Sequence, residues 1–308
     1  MKVKIPVLIV IAILIAGIAA AAVIAAEPQL PEEPPPPEQI TVGDTPYITA
    51  DYLSGCIFAA LKNYSSVSQI NQQGLNATAA VLYSSLLYLY EINSLDRDVF
   101  PCVEYMSMEE AAEYYGSAYQ EFNIMVRSAA KYAMNVNVTY GGENVFLPLC
   151  RISSGALIDP AECNMNMPWC KKLYCLTDRD EPRYSGGCQL TSDGFTAVFL
   201  TRFPSAVLPP DIGGWISDIK TDTDGNVLSV SAGGVTMSGW EFCQLFGIRS
   251  VCFEMTYTDR LFSFTSKGDG GSAGISVAAA MQLGARGDSA EEIIKTFFEV
   301  DINAAYTG

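Results

Sequence analysis

Residues 5–26, IPVLIVIAILIAGIAAAAVIAA, form an unbroken apolar run of about the length a helix needs to cross the hydrocarbon core of a bilayer. The next residues cannot join it. Pro31 and Pro34 to Pro37 lack backbone N–H groups and have a fixed φ, so this stretch is expected to be extended and stiff. The chain therefore divides into a transmembrane anchor at 1–26, a Pro-rich linker at 27–45 and one domain at 46–308. Lys2 and Lys4 precede the run, and the positive-inside rule keeps them in the cytoplasm and puts the domain outside. The expected location is the cell membrane, single-pass, with an extracytoplasmic domain. A cleaved signal peptide ending near Ala22 to Ala26 is the alternative reading. The apolar core is longer than such peptides carry, which favours the anchor, and both readings export the rest.

The chain contains no histidine, so no side chain has an unperturbed pKa near neutrality, and acid–base work would fall to carboxylates, Tyr, Lys or Cys. Ser-His-Asp catalysis, Cys-His catalysis and His-ligated metal sites are excluded. The net charge of −16 argues against nucleic acid and anionic headgroups as partners, since phosphate binding needs clustered Lys and Arg. No Gly-rich phosphate loop stands out, because GDGGSAG lacks the Gly-Lys-Ser ending, and no cofactor is implied.

Periodicity gives an α+β domain. Leu53, Ile57 and Leu61 recur at helical spacing behind Thr49 or Asp51 as a cap. Residues 73–90 are apolar almost all round, as a core helix is. Residues 108–132 carry a third helical pattern, whose Glu109, Glu110 and Glu113 suit a helix N-terminus. Residues 137–149 alternate about Gly141-Gly142 as a hairpin. The segment 193–203, DGFTAVFLTRF, is expected to be a strand. Two more strands flank Asp224-Gly225-Asn226, whose acidic spacing suits a hairpin turn and not a calcium loop. A last helix spans 289–298 behind Asp288 or Ser289. Of nine cysteines, Cys150, Cys163, Cys170, Cys175 and Cys188 crowd one loop-like stretch. Without paired CxxC spacing they read as disulfides or inert thiols ahead of a thiolate metal site.

From Gly239 the chain runs GWEFCQLFGIRSVCFEMTYTDRLFSFTSKGDGGSAGISVAAAMQLGARGDSAEEIIKTFFEVDI. This resembles the C-terminal block of the stage II sporulation protein D family, membrane-anchored lytic transglycosylases that trim peptidoglycan during engulfment. The matching residues are Ile248-Arg249-Ser250, Phe253, Lys267-Gly268, Gln282, Gly284-Ala285 and Glu291-Glu292-Ile293-Ile294. The N-terminal half resembles the family through Asp51-Tyr52-Leu53, Gly55 and Ala59, then Leu75, Ala77, Ala79 and Ala80. The family's catalytic glutamate falls on Ala60, its Arg-Thr-Tyr becomes Tyr83-Ser84-Ser85, and its histidines fall on Cys150 and near Ser276. Ser153-Ser154-Gly155 is retained. Some relatives carry a histidine-containing zinc site, for which the cysteine-rich stretch would be the replacement.

The resemblance implies helices packed on antiparallel sheets around a cleft, with Ala60 and Gln282 on the same side. It also implies a protein acting at peptidoglycan in sporulation. A lytic transglycosylase needs a carboxylic acid beside the glycosidic oxygen, and between Glu38 and Glu91 there is no glutamate. The expectation is a pseudoenzyme with no catalytic residue and no metal, acting as a glycan-binding or scaffold member. Tyr52, Tyr83, Ser153, Ser154 and Gln282 would touch the glycan strand, with Ser276 at the histidine position. Partners would be peptidoglycan strands, the membrane through the anchor, and other envelope or engulfment proteins. The alternative is an active lytic transglycosylase using a displaced carboxylate: Glu109, Glu254 or Asp269.

Overall fold

In the computed structural model, the residues described are 37–304 except 43–44, 93, 96–102 and 164. The anchor expected at 1–26 and the proline run lie outside them, and among the described residues no helix is long and apolar enough to cross a membrane. The domain starts before residue 46. Gln39–Val42 (β1) pairs antiparallel with Thr45–Ile48 (β2), because Ile40 and Val42 alternate inward and are buried.

A helical half comes next: Thr49–Ala60 (α1), Gln72–Glu91 (α2), Met108–Tyr115 (α3) and Tyr119–Ala133 (α4). Neither Thr49 nor Asp51 caps α1. The Thr49 hydroxyl donates to the Pro37 carbonyl at 2.6 Å, and Asp51 pairs with Arg127 at 3.1 Å. The single helix expected over 108–132 is two, broken at Gly116, whose φ of 53° and ψ of −123° suit a residue without a Cβ. Val136–Tyr140 (β3) and Glu143–Asn144 (β4) close the expected hairpin, with Gly141 and Gly142 both at positive φ. Leu149–Cys150 (β5) ends this half.

The second half contains Ser185–Thr191 (β6), Ser192–Arg202 (α5), Ile216–Thr221 (β7), Val227–Ala232 (β8), Val235–Ser238 (β9), Gly239–Phe246 (α6), Cys252–Thr258 (β10) and Leu261–Lys267 (β11). Two antiparallel sheets, β10-β11-β6 and β7-β8-β9, enclose a core rich in phenylalanine. Segment 193–203 is a helix, not the expected strand. The Thr191 hydroxyl caps it by accepting from the Gly194 N–H at 3.1 Å, and Phe195 and Phe199, four apart, stack at 5.3 Å and are buried. Asp222 closes the acidic turn between β7 and β8 by accepting from the Asp224 and Asn226 N–H groups at 2.9 and 2.8 Å.

The chain then returns to the helical half through Ile275–Ser276 (β12), Val277–Arg286 (α7), Ala290–Phe297 (α8) and Asp301–Ala304 (β13). β12 pairs parallel with β5, and β13 joins β3. α2 packs on α1, α4, α7 and α8, which is why it is apolar on nearly every face. Its Ser84 and Ser85 are buried and donate to the carbonyls of Val138, Val145 and Leu147 at 2.9–3.0 Å. The whole is a mixed α+β fold with antiparallel sheets.

At the α2–α7 crossing two glycines meet. A Cβ on Gly74 would sit 2.5 Å from the Ala280 carbonyl oxygen, and one on Gly284 would sit 2.2 Å from Asn71 Oδ1. Gly74→Ala should therefore force the helices apart and destabilise the domain by about 1–3 kcal/mol, read as a lowered denaturant midpoint. An unchanged midpoint would show that the crossing is looser than these distances require.

Candidate functional site

Two strings of backbone meet along the seam between the halves. Asp269 pairs with Ile152 across an antiparallel bridge, Gly270 pairs with Ser250, and the Asp269 carbonyl accepts from both Arg151 and Ile152 N–H at 2.9 and 3.2 Å. This pins Asp269 beside Arg151, whose Nη2 lies 2.9 Å from Asp269 Oδ1 and whose Nη1 lies 2.6 Å from Glu104 Oε2. Asn63 Nδ2 donates to the other Asp269 oxygen at 3.2 Å. Burial disfavours the Arg151 charge, but Glu104 and Asp269 outweigh it and hold the guanidinium more firmly protonated than usual.

A chamber of about 290 Å³ opens against this pair. Ala60 and Leu82 contribute from the helical half, and Val227 and Val251 from the other. Trp240, in the first turn of α6, lies on its wall, with its ring 3.7 Å from a Cβ built on Gly271. Its lining is mainly apolar. Three carboxylates line it: Glu104, Asp269 and Glu241. The first two are paired with Arg151, and Glu241 accepts from the Ser238 N–H and hydroxyl, both at 2.8 Å, capping α6. A second, more open pocket of about 480 Å³ shares Arg151 and Asp269 and adds Lys62, Arg183 and Arg249.

The residues expected to touch glycan lie elsewhere. Tyr52 is buried and stacks on Tyr105 at 4.6 Å. Tyr83 is buried, its hydroxyl has no hydrogen-bond partner among the described residues, and burial pushes its pKa up to about 12. Ser154 is buried and donates to Asn226 Oδ1 at 2.7 Å. Ser153 and Ser276 converge on a carboxylate that sequence reasoning missed: Asp178 Oδ2 accepts from the Ser153 N–H at 2.7 Å and the Ser276 hydroxyl at 2.6 Å. Gln282 reaches the same turn, 3.4 Å from the Thr177 carbonyl and the Glu181 carboxylate. The structure thus gathers Ser153, Ser276 and Gln282 around a buried acid and leaves all five expected contact residues off both cavities. They are off the cavities because main chain and neighbouring side chains already use their polar atoms or cover their rings.

Of the displaced carboxylates, Asp269 lines both of these cavities and the other two line neither. Glu109 lies in the exposed first turn of α3, and Glu254 is exposed on β10. Arg151, Glu104 and Trp240 were missed as site residues. Arg151 had one signal, a lone cation in the otherwise uncharged FLPLCRISSGAL. Cys150, Cys163, Cys170, Cys175 and Cys188 are free thiols. Burial raises the pKa of each, with Cys163 reaching about 11 and Cys170 and Cys175 about 12, which makes them poor nucleophiles. Among the described residues no group of three or more Cys, Asp and Glu is placed to hold a metal.

No family model matches the chain, and no curated protein does.

Asp178 is fully buried, and its Oδ1 has no hydrogen-bond partner among the described residues. Burial raises its pKa against the opposing hydrogen bonds from Ser276 and Ser153. The unfolded chain therefore loses this proton at a lower pH than the folded one, and the carboxylate weakens the fold as pH rises above the ordinary aspartate range. Asp178→Asn keeps an acceptor for both partners and removes that charge. Its melting temperature relative to the parent should rise between pH 3.5 and pH 7, and a difference that stays flat with pH would show that Asp178 is ordinarily ionised in the fold.

Proposed function

We propose that this chain is a membrane-anchored, extracytoplasmic protein of the stage II sporulation protein D type that holds peptidoglycan glycan strands without cutting them. The observation that carries the reading is the state of the chamber at Ala60. The position matching the family's glutamate is a buried methyl group on the wall, and each carboxylate around it is engaged, two by Arg151 and one by the cap of α6. Glycoside cleavage needs an acid free to protonate the leaving oxygen. Among the described residues the chamber offers none. Its Trp240 ring suits the apolar face of a sugar, so retention of a strand is the chemistry left. The apolar run at 5–26 would tether the domain, and the proline run would hold it off the membrane, where envelope or engulfment proteins are its further partners.

A second reading, an active lytic transglycosylase, is favoured by one feature: Asp269 faces both cavities. Full-length protein in neutral detergent should release no anhydro-muropeptides from purified peptidoglycan while co-sedimenting with it. Release that Asp269→Asn abolishes would overturn the binder in favour of the enzyme.

Restoring the family residue should not restore lysis. Ala60→Glu would put a carboxyl into the mainly apolar chamber that Asp269 and Glu104 also line, where burial and like charge raise its pKa. The unfolded chain ionises first, so the variant should melt further below the parent at pH 8 than at pH 5. Recovered muropeptide release would show that the rest of the catalytic apparatus is intact.

A further inference from the structure

On a chain of net charge −16, cations gather in one place. Lys62, Arg151, Arg183 and Arg249 all line the 480 Å³ pocket, with Glu110 and Asp269 as its acids. Those acids are engaged: Asp269 by Arg151 and Asn63, and Glu110 by the Ser107 N–H at 2.7 Å. Among the described residues, no carboxylate lies within ion-pair distance of Lys62, Arg183 or Arg249, though other cations in the chain do find one. Main-chain carbonyls hold the guanidinium groups instead. Arg183 Nη1 donates to the Lys62 carbonyl at 3.2 Å, Arg249 Nε donates to the Gly268 carbonyl at 3.3 Å, and Arg249 Nη2 donates to the Arg183 carbonyl. Gly186 leaves room for this, since a Cβ there would come within 2.9 Å of the Arg249 guanidinium.

These carbonyls orient the guanidinium groups without neutralising them. Burial lowers the Arg249 pKa, and Arg183 and Arg151 add to that against the pull of Asp269. Forked guanidinium groups fixed side by side match the geometry of planar or tetrahedral oxyanions. The hydroxyl-bearing Tyr105 and Tyr114 share the pocket.

We propose that this pocket is an oxyanion site, holding a carboxylate or phosphate group of a ligand between Lys62, Arg183 and Arg249. Arg151 and Asp269 line both the pocket and the chamber, so an anion held here lies beside residues that also bound the chamber. The proposal deepens the wall-binding reading, because peptidoglycan stem peptides carry free carboxylates. It stands on the charge geometry alone if that reading fails.

The test titrates full-length protein in neutral detergent, at low salt, with three probes: inorganic phosphate, a disaccharide-peptide from peptidoglycan, and the same compound with its carboxyls amidated. Phosphate and the free-acid compound should bind, the amidated one at least tenfold more weakly, and added salt should weaken both interactions. Arg183→Gln and Lys62→Gln should each weaken phosphate binding about tenfold, the order expected for loss of one charge-assisted contact. Both variants keep the backbone carbonyls that orient their neighbours. Arg260→Gln, which removes an equal charge at a remote exposed site, should change nothing and so controls for net charge. Phosphate binding alone would keep the oxyanion site and assign it to a phosphate-bearing ligand instead of the wall. Equal binding of free and amidated compounds, with none of phosphate, would overturn the oxyanion site while leaving the wall reading intact. Binding of no probe, or binding indifferent to Arg183 and Lys62, would also overturn it.

Discussion

Arg151 and Asp269 meet where the two hydrophobic cores of this domain abut, and most of the site is arranged around that contact. Their side chains are 18% and 4% exposed, too dry for either charge to stand alone. Removing one partner of a buried pair leaves an uncompensated charge and costs about 3–5 kcal/mol, so Asp269 requires Arg151, whereas Arg151 also has Glu104. The same two residues are tied through main chain, because the Asp269 carbonyl accepts from the N–H groups of Arg151 and Ile152. Side-chain charge and backbone bridge therefore fix one geometry, and that geometry decides which groups face each cavity.

Backbone proximity at the seam explains the glycine-rich run. Gly268, Gly270 and Gly274 have φ of 87°, 121° and 72°, a region that side chains with a Cβ avoid. A Cβ on Gly274 would lie 1.9 Å from the Pro148 carbonyl oxygen. These glycines let residues 268–276 thread against 148–153, joining a β-rich half to a helical one. Their role is structural.

Chemistry at the seam depends on how charge is spent. Carboxylates of the described residues in the chamber are matched by Arg151 or by a helix cap, and Asp178, whose pKa burial raises, is enclosed with Ser153 and Ser276. In the adjoining pocket Arg151 is matched, but among the described residues Lys62, Arg183 and Arg249 have no carboxylate within ion-pair distance. A site with engaged acids and unengaged bases is suited to holding an anion and unsuited to donating a proton.

Local pattern was enough for the long elements. The apolar periodicity of α1, the uniform apolarity of α2, the capped helix at Ala290–Phe297 and the hairpin at Gly141-Gly142 each depend on residues close in sequence, and so does the absence of histidine chemistry. The helix at Ser192–Arg202 reads as a strand from sequence because Phe195, Val198 and Phe199 carry β propensity, and only the pocket of aromatic rings around Phe195 and Phe199 resolves it. The orientation of Tyr52, Tyr83, Ser153 and Ser154 toward the interior also lay beyond reach, since burial depends on which segments pack over them. The cationic pocket draws on positions 62, 151, 183 and 249. No window along the chain contains all four, and only the closing of the seam through Asp269 brings those charges within reach of one ligand.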